Sequence, residues 1–230
     1  MCGRFAQQRP SSELAEIFDA EDLADDPGER FNVAPTDEAT VVVQRVDRRA
    51  VTRYRWGLIP HWAPDRKVAA RQINARGERI SSSPSFRDAF RKRRCVVPVD
   101  SFYEWRRSGG VRQPYRITSV DGRPLALAGL WAGWRDPDTE EVVRTFTIVT
   151  TSPNELLGEI HDRMPVVLPD DTWRSWLDPE LADLGELQGL IAPAPDGLLR
   201  THPVSTRVNN VRNDGPDLLA PIDLLAPIDL

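Results

Sequence analysis

The stretch VVVQRVDRRAVTRYRW at residues 41–56 decides the fold class of this chain. Two runs rich in β-branched residues, at 41–46 and 51–56, enclose the polar triplet DRR at 47–49. Such residues favour strands, and a short polar segment between two of these runs is typical of a hairpin. We therefore predict an antiparallel hairpin here. Further strands are predicted in segments of the same character, at 95–99, 102–105, 115–118, 125–131 and 142–150.

Helix signals are few and short. Ser11 and Ser12 precede apolar residues at helical spacing, which predicts a helix that ends near Phe18. Ser152 stands before Pro, Asn and Glu, and this order predicts a capping box with Ser152 as the cap of a helix that runs to about residue 160. Two more short helices are predicted at 86–93 and 170–177. Because a regular βαβ alternation is missing, we expect an α+β fold rather than a doubly wound sheet.

Composition sets limits on the class of protein. The chain has 230 residues, a net charge of −5 and only two cysteines, Cys2 and Cys95. Two cysteines give no disulfide framework, and three histidines with two cysteines show no zinc-ligand spacing, so we expect no metal and no cofactor. The sequence has no apolar run of membrane-spanning length and no signal-peptide pattern. We expect a monomeric, cytoplasmic protein that does not enter membranes.

Charge is unevenly distributed along the chain. Residues 11–40 hold ten acidic residues and one Arg, whereas residues 66–94 hold ten Lys and Arg with two acidic residues. The basic stretch is suited to contact phosphates. A solvated, Arg-rich surface without a nucleic-acid partner explains the same pattern.

Cys2 is the first candidate for chemistry. If Met1 is removed, Cys2 carries an α-amine next to a thiol, and an α-amine has a pKa of about 7.7–8.0. The amine can condense with an aldehyde, and the thiol can then close on the imine to give a thiazolidine. Position alone also allows Cys2 to be only a small second residue without a function.

Three other positions supply suitable partners. Asn74 lies in the basic stretch, Glu104 stands among three aromatic residues on a predicted strand, and His161 follows a predicted helix. Read singly, Glu104 is more often a residue that forms a salt bridge on a strand, and His161 is more often a cap that interacts with the dipole at a helix C-terminus.

Seven segments follow one another along the chain: MCGRF at 1–5, RFNVAPT at 30–36, RWGLIPHW at 55–62, INARGE at 73–78, RCVVPVDSFYEW at 94–105, IHDRMPVVL at 160–168 and VNNVRNDGP at 208–216. Taken together and in this order, these segments resemble the SRAP family, the SOS response-associated peptidases. The resemblance covers nearly the whole chain and implies one SRAP domain at 1–218, with a mostly antiparallel, barrel-like sheet and flanking short helices. The remaining residues, 219–230, form a tail that contains the hexapeptide LAPIDL twice. Small departures occur at His61, Gly77 and Ser101.

The resemblance implies a sensor of abasic sites in single-stranded DNA that forms a covalent crosslink. Carried onto this chain, Cys2 is the nucleophile and Asn74 orients the N-terminal amine and the opened sugar. Glu104 is the general acid and base, with a pKa raised by its aromatic neighbours. His161 protonates the sugar oxygen and assists ring opening, strand cleavage of the lyase type or reversal of the crosslink.

The same resemblance places DNA contacts beside the catalytic segments. Guanidinium groups fit phosphates, and aromatic rings stack on bases without reading sequence. The expected phosphate ligands are Arg4, Arg76 and Arg163, the expected stacking residues are Trp56 and Trp62, and the groove is expected to include Pro35, Thr150 and Ser152. For the two tryptophans, core packing is the alternative.

Two other functions remain open on sequence grounds. Cys2, His161 and Glu104 can be read as nucleophile, base and orienting group of a cysteine protease. The aromatic residues can also be read as a cage that binds modified bases without a covalent bond.

Overall fold

The computed structural model describes residues 2–26, 28–45 and 48–223 of the chain. Strands dominate it, and the helices are short. The strands are β1 Phe5–Gln7, β2 Glu21–Asp22, β3 Arg30–Val33, β4 Glu38–Gln44, β5 Arg49–Trp56, β6 Asn74–Arg76, β7 Arg94–Val99, β8 Ser101–Ser108, β9 Val111–Ser119, β10 Leu125–Arg135, β11 Val142–Thr151, β12 Met164–Pro165, β13 Val167–Leu168 and β14 Leu199–Pro203. The α-helices are α1 Ser11–Phe18, α2 Arg87–Lys92, α3 Glu155–Gly158, α4 Trp173–Leu177 and α5 Leu184–Gly189, and 3-10 helices lie at Arg66–Arg71, Gly77–Arg79, Thr206–Asn209 and Pro216–Leu219.

Part of the larger sheet closes into a barrel. Strands β5, β4, β7, β10 and β11 follow one another with antiparallel pairing. β11 then returns to β5 with parallel pairing, where Phe146 lies opposite Trp56. Closure matters because it removes the unpaired edges that an open sheet would expose. The predicted hairpin is confirmed as β4 and β5, while its turn at 46–47 lies outside the described residues.

The second sheet has five strands in the order β14, β9, β8, β1 and β3. All its pairings are antiparallel. It packs against the barrel through a shared apolar core, in which the rings of Phe5 from β1 and Trp56 from β5 have centroids 4.9 Å apart. The expected α+β fold with a mostly antiparallel, barrel-like sheet is therefore confirmed.

The helices cover the outer surface of the barrel. Leu14 and Phe18 of α1, Phe90 of α2 and Trp176 of α4 share one buried cluster with outward-facing barrel residues. Burial of an apolar side chain contributes about 1.5–3 kcal/mol, so this layer stabilises the barrel from outside. No helix in the described ranges is long and apolar enough to cross a membrane.

The helix that was expected to begin at Ser152 differs from the prediction. Asn154 is the cap, since its side chain accepts a hydrogen bond of 3.0 Å from the amide of Leu157. The helix itself, α3, ends at Gly158 rather than near residue 160. Asn caps as well as Ser does, and the local pattern could not separate the two residues.

The start of the tail lies against the domain. Leu219 packs against a cluster on the second sheet, and the amide of Ile222 donates to the carbonyl of Pro203 at 3.0 Å. Residues 224–230, which hold the last residue of the first LAPIDL copy and the whole second copy, lie outside the described residues. The domain boundary at residue 218 stays a prediction.

Candidate active site

Cys2 lies just before β1 and is completely buried in the shared core. Its thiol donates a long hydrogen bond, 3.9 Å, to the carbonyl of Arg4. Burial raises the pKa of the thiol well above its usual value, and the charge of Glu104 raises it further. The sulfur is therefore protonated at neutral pH, and it needs a base before it can attack a carbon atom.

Asn74 contacts the main chain of Cys2. It begins β6, which pairs in parallel with β11 through Ile148. The side-chain amide Nδ2 donates to the carbonyl of Cys2 at 2.8 Å. Within the described residues, the other side-chain atom, Oδ1, is buried and accepts no hydrogen bond. A buried amide oxygen with unused acceptor capacity is suited to receive an N–H group.

Glu104 lies on β8, next to the N-terminal segment. β1 pairs with β8 so that Phe5 lies opposite Phe102, and the amide of Tyr103 donates to the carbonyl of Arg4 at 2.9 Å. The same register, continued for two residues, brings Gly3 opposite Glu104. Glu104 is 1 % exposed, and burial raises the pKa of its carboxyl group to about 7. At neutral pH this group can both give and take a proton.

His161 follows α3 and is partly exposed, with 29 % of its side chain accessible. Its Nδ1 accepts a hydrogen bond of 3.0 Å from the amide of Arg163, so the neutral ring carries its proton on Nε2. The Asp162 carboxylate lies 2.9 Å from the same Nδ1 but is 88 % exposed, so solvent screens it. Burial lowers the pKa of His161, which favours the neutral ring.

A polar clamp joins the N-terminal segment to residues 208–213. Nη1 of Arg4 donates to Oδ1 of Asn32 and to the carbonyl of Val208, both at 2.9 Å. Nδ2 of Asn32, which is buried, donates to the carbonyls of Val208, Asn210 and Asn213. The guanidinium of Arg4 thus donates hydrogen bonds to groups of the protein itself, and its predicted phosphate contact stays a prediction. Asn32 is not among the site residues predicted from the sequence, although it lies in the RFNVAPT segment that contributes to the family resemblance.

Arg163 is also held by the protein. Its guanidinium binds the Glu78 carboxylate, with Nη2 to Oε2 at 2.9 Å, and Nη2 donates to the carbonyl of Thr150 at 2.7 Å. Only 14 % of the side chain is exposed. This geometry favours a bracing role for Arg163 over phosphate binding, since it ties the loop around His161 to the end of β6. Glu78, inside the INARGE segment, is the second residue that sequence reasoning missed.

The two tryptophans of the RWGLIPHW segment lie in different environments. Trp56 is fully buried, and its indole Nε1 donates to the carbonyl of Ile73 at 2.9 Å while its ring stacks on Phe146. The prediction that Trp56 stacks on bases is wrong, because neither face of the Trp56 ring is accessible to a base in the folded protein. Trp62 is 54 % exposed, and its face is available to a ligand.

The remaining residues that were predicted to contact DNA also differ in their exposure to solvent. Arg76 and Ser152 are exposed, and Pro35 is half-buried. Thr150 is completely buried, and its hydroxyl donates to the carbonyl of Ala75. The prediction that Thr150 lines the groove is therefore wrong, because its side chain does not reach the surface. In the part of the chain that the structure describes, no group of three or more His, Cys, Asp or Glu side chains could hold a metal ion.

Gly77, one of the departures from the usual family pattern, has a local explanation. A Cβ atom at this position would lie 2.3 Å from Cγ2 of Ile191. Ile191 packs against the cluster on the outside of the barrel. The missing methyl group thus makes room for Ile191 beside the β6 segment that carries Asn74.

Comparison with known proteins gives one consistent result. A family profile described as SOS response associated peptidase (SRAP) matches residues 1–211. The chain is 38 % identical to the abasic site processing protein YoqW of Bacillus subtilis, over 95 % of this chain and 99 % of that protein. It is 36 % identical to the abasic site processing protein YoaM of the same organism, over 95 % of this chain and 97 % of that protein.

A solved structure shares the fold. The crystal structure of a protein from Bacteroides thetaiotaomicron superposes with a TM-score of 0.88 at 25 % sequence identity. The match covers 96 % of this chain and all of the other. The architecture described above is therefore that of a known structure over nearly its whole length.

Proposed function

The chain belongs to the SOS response associated peptidase family, and we propose that it processes abasic sites in single-stranded DNA through the aminothiol of mature Cys2. One observation carries the proposal: the amide of Asn74 holds the main chain of Cys2 at 2.8 Å, beside a buried carboxyl group whose pKa is about 7. This combination fixes a nucleophile and supplies it with a proton carrier.

The reaction begins at the α-amine, which is free once Met1 has been removed. The amine nitrogen bonds to the aldehyde carbon of the opened abasic sugar, and water leaves as the imine forms. The thiol sulfur then bonds to the imine carbon, and the nitrogen takes up a proton. The product is a thiazolidine that links Cys2 to the DNA, and the sequence of steps is redox-neutral.

Glu104 serves both proton transfers. As a neutral acid it protonates the departing hydroxyl during imine formation, and as a carboxylate it then accepts the thiol proton of Cys2. A pKa of about 7 lets each form be populated at neutral pH. The raised pKa of the Cys2 thiol makes this base necessary.

Asn74 and His161 position and protonate the substrate. The unused Oδ1 of Asn74 is suited to accept a hydrogen bond from the Cys2 amine. His161, neutral and with its proton on Nε2, donates to the sugar oxygen that is released as the ring opens. The same donor can serve strand cleavage of the lyase type or reversal of the crosslink.

DNA binding is proposed for the exposed members of the predicted set. The ring of Trp62 stacks on a base, and the guanidinium of Arg76 contacts a phosphate. Pro35 and Ser152 border the path of the strand. Stacking without base-specific hydrogen bonds explains a preference for single strands, in which the abasic sugar is also accessible.

The test uses DNA with one abasic site and detects a protein–DNA band that survives heating in SDS. We expect the wild-type chain to form this band and Cys2→Ala to lose it. Cys95→Ala is the matched control, because Cys95 is equally buried but lies inside the barrel. A persistent band in Cys2→Ala contradicts crosslinking through Cys2. If the wild type binds the DNA but gives no such band, a non-covalent reader remains.

A second variant separates the amine from the thiol. An uncleavable extension before Cys2 blocks the α-amine and keeps the sulfur. We expect it to abolish the crosslink while the far-ultraviolet circular dichroism stays unchanged. A crosslink that survives shows that the thiol reacts by itself, as in a thiol protease.

A further inference from the structure

A cleft of about 670 Å³ lies on the face of the second sheet opposite to that of Glu104. Its floor is formed by Arg116 and Thr118 of β9 and by Arg200 and His202 of β14. The segment that follows β1 forms one wall. None of the residues assigned to the active site lines this cleft.

Strand register shows that the cleft and the active site are on opposite faces. Glu104 lies opposite Tyr115, whereas the neighbouring Tyr103 lies opposite Arg116. Successive side chains on a strand point to opposite faces of a sheet. Arg116 therefore lies on the face of Tyr103 and not on that of Glu104.

The carboxylates at the cleft already have partners. Arg9 forms ion pairs with both Glu13 and Asp100. At the rim, Arg123 pairs with Asp170. Arg9 and Arg123 therefore hold these carboxylates, and Asp100 acts on Arg116 only through its charge and not through a direct ion pair.

Arg116 and Arg200 therefore lack direct ion-pair partners. Within the described residues, no carboxylate lies within 4.0 Å of either guanidinium. Nε of Arg116 donates to the Ser101 hydroxyl at 3.0 Å, and Nε of Arg200 donates to the Thr118 hydroxyl at 3.2 Å. Because the anchors hold only the Nε atoms, the Nη groups remain available to a ligand.

The two guanidiniums also repel each other. Arg200 lies opposite Thr118 and His202 lies opposite Arg116, so the two arginines are diagonal neighbours on one face. Burial has the largest effect on the pKa of Arg116 and lowers it, the interactions with Tyr103 and Asp100 raise it, and the charge of Arg200 lowers it by a smaller amount. An anion between the arginines would relieve the repulsion. The chain has a net charge of −5, so a general excess of positive charge does not explain why two arginines are adjacent here.

We propose that this cleft is a second binding site, which takes a phosphate group between Arg116 and Arg200. Two planar guanidiniums with free Nη groups match the oxygen atoms of a phosphate. The phosphate comes either from a DNA strand that extends beyond the abasic site or from a free phosphate ion. The DNA source rests on the proposed function, whereas the free ion does not.

The test uses Arg116→Gln/Arg200→Gln. Its matched control is Arg48→Gln/Arg135→Gln, which changes the net charge equally at two exposed positions away from the cleft. Binding is measured with abasic single strands of about five and about twenty nucleotides, a range that brackets typical single-strand sites. If the variant in the cleft fails to fold, Arg200→Gln replaces it, since Arg200 is exposed.

A DNA source predicts roughly tenfold weaker binding of the long strand by the cleft variant only. The dependence of log K on log salt should also become shallower, by about 0.7 for each lost phosphate contact. The cleft variant should crosslink the short strand as the wild type does. If the wild type itself does not crosslink the short strand, this contradicts the proposed function and not the binding site in the cleft.

Isothermal calorimetry with inorganic phosphate tests whether the cleft binds the free ion. A free-ion source predicts heat of binding for the wild type and for the control but not for the cleft variant, with unchanged affinity for the long strand. If the cleft variant matches the control with both DNA and inorganic phosphate, the proposal is overturned.

Discussion

The barrel interior and the second sheet bury different kinds of side chain. Inside the barrel lie apolar and aromatic residues such as Val41, Leu127 and Phe146. The second sheet buries the carboxyl group of Glu104 and the amide of Asn32. Buried polar groups cost stability unless they are fully satisfied, so they are retained where geometry and chemistry need them. The barrel thus supplies stability, and the second sheet uses part of that stability to hold a reactive site.

The largest expected effect that sharpens this comparison is on the crosslinking rate. Glu104→Gln keeps the shape of the side chain but removes its proton exchange. We expect the rate to fall about 100-fold, the lower end of the range for general acid–base catalysis, with DNA affinity retained. Single-turnover crosslinking followed on denaturing gels measures this rate.

The barrel supplies the control for that experiment. Cys95→Ala removes a buried group of the interior and should lower stability while the rate of the folded protein stays within about twofold. An unchanged rate in Glu104→Gln would remove Glu104 from the mechanism. An equal loss of rate in both variants would mean that the barrel does not merely support the site.

The next effect is on the pH dependence of folding stability. The pKa of Glu104 is about 7 in the folded protein, against 4.5 for an ordinary Glu. The folded state thus binds more protons than the unfolded state between these values. The stabilisation that the protonated Glu104 carboxyl group gives to the folded state is fully present below pH 4.5. It is lost as the pH rises through 7. The loss amounts to about 3 kcal/mol.

Denaturant unfolding at pH 5 and pH 8 measures that loss. We expect Glu104→Gln to remove most of the difference in unfolding free energy between the two pH values, whereas Cys95→Ala should retain it. If Glu104→Gln shows the same pH dependence as the wild type, the carboxyl group titrates normally and another group causes the effect.

The sequence predicted the barrel better than the second sheet, and the reason is physical. The β4–β5 hairpin is a local pairing of two β-branched runs. β1 and β3 have only three and four residues, and they pair with each other across a long stretch of chain, Phe5 with Val33. No local pattern marks such short strands. Their positions depend on the clamp made by Asn32 and on burial against Trp56.

The same reasoning applies to the site. Chemistry identified Cys2, Asn74, Glu104 and His161 as candidates, because their residue types suit the reaction. The local pattern of a strand does not show whether both of its faces are covered, so Thr150 was expected on a surface that it does not reach. Arg163 similarly resembles a phosphate ligand until its contacts with Glu78 and Thr150 are known.

The smallest effect separates the two tryptophans of one motif, one in each environment. Trp62→Ala removes an exposed ring and should weaken single-strand binding by about 1–3 kcal/mol, the value of one base stack, while unfolding stability stays unchanged. Trp56→Phe changes the barrel core, so it should lower stability and leave affinity nearly unchanged. Fluorescence anisotropy with an abasic strand and thermal unfolding measure the two quantities. Weaker binding in Trp56→Phe with normal binding in Trp62→Ala would reverse the assignment, because a ring inside the barrel reaches DNA only if the strand β5 opens.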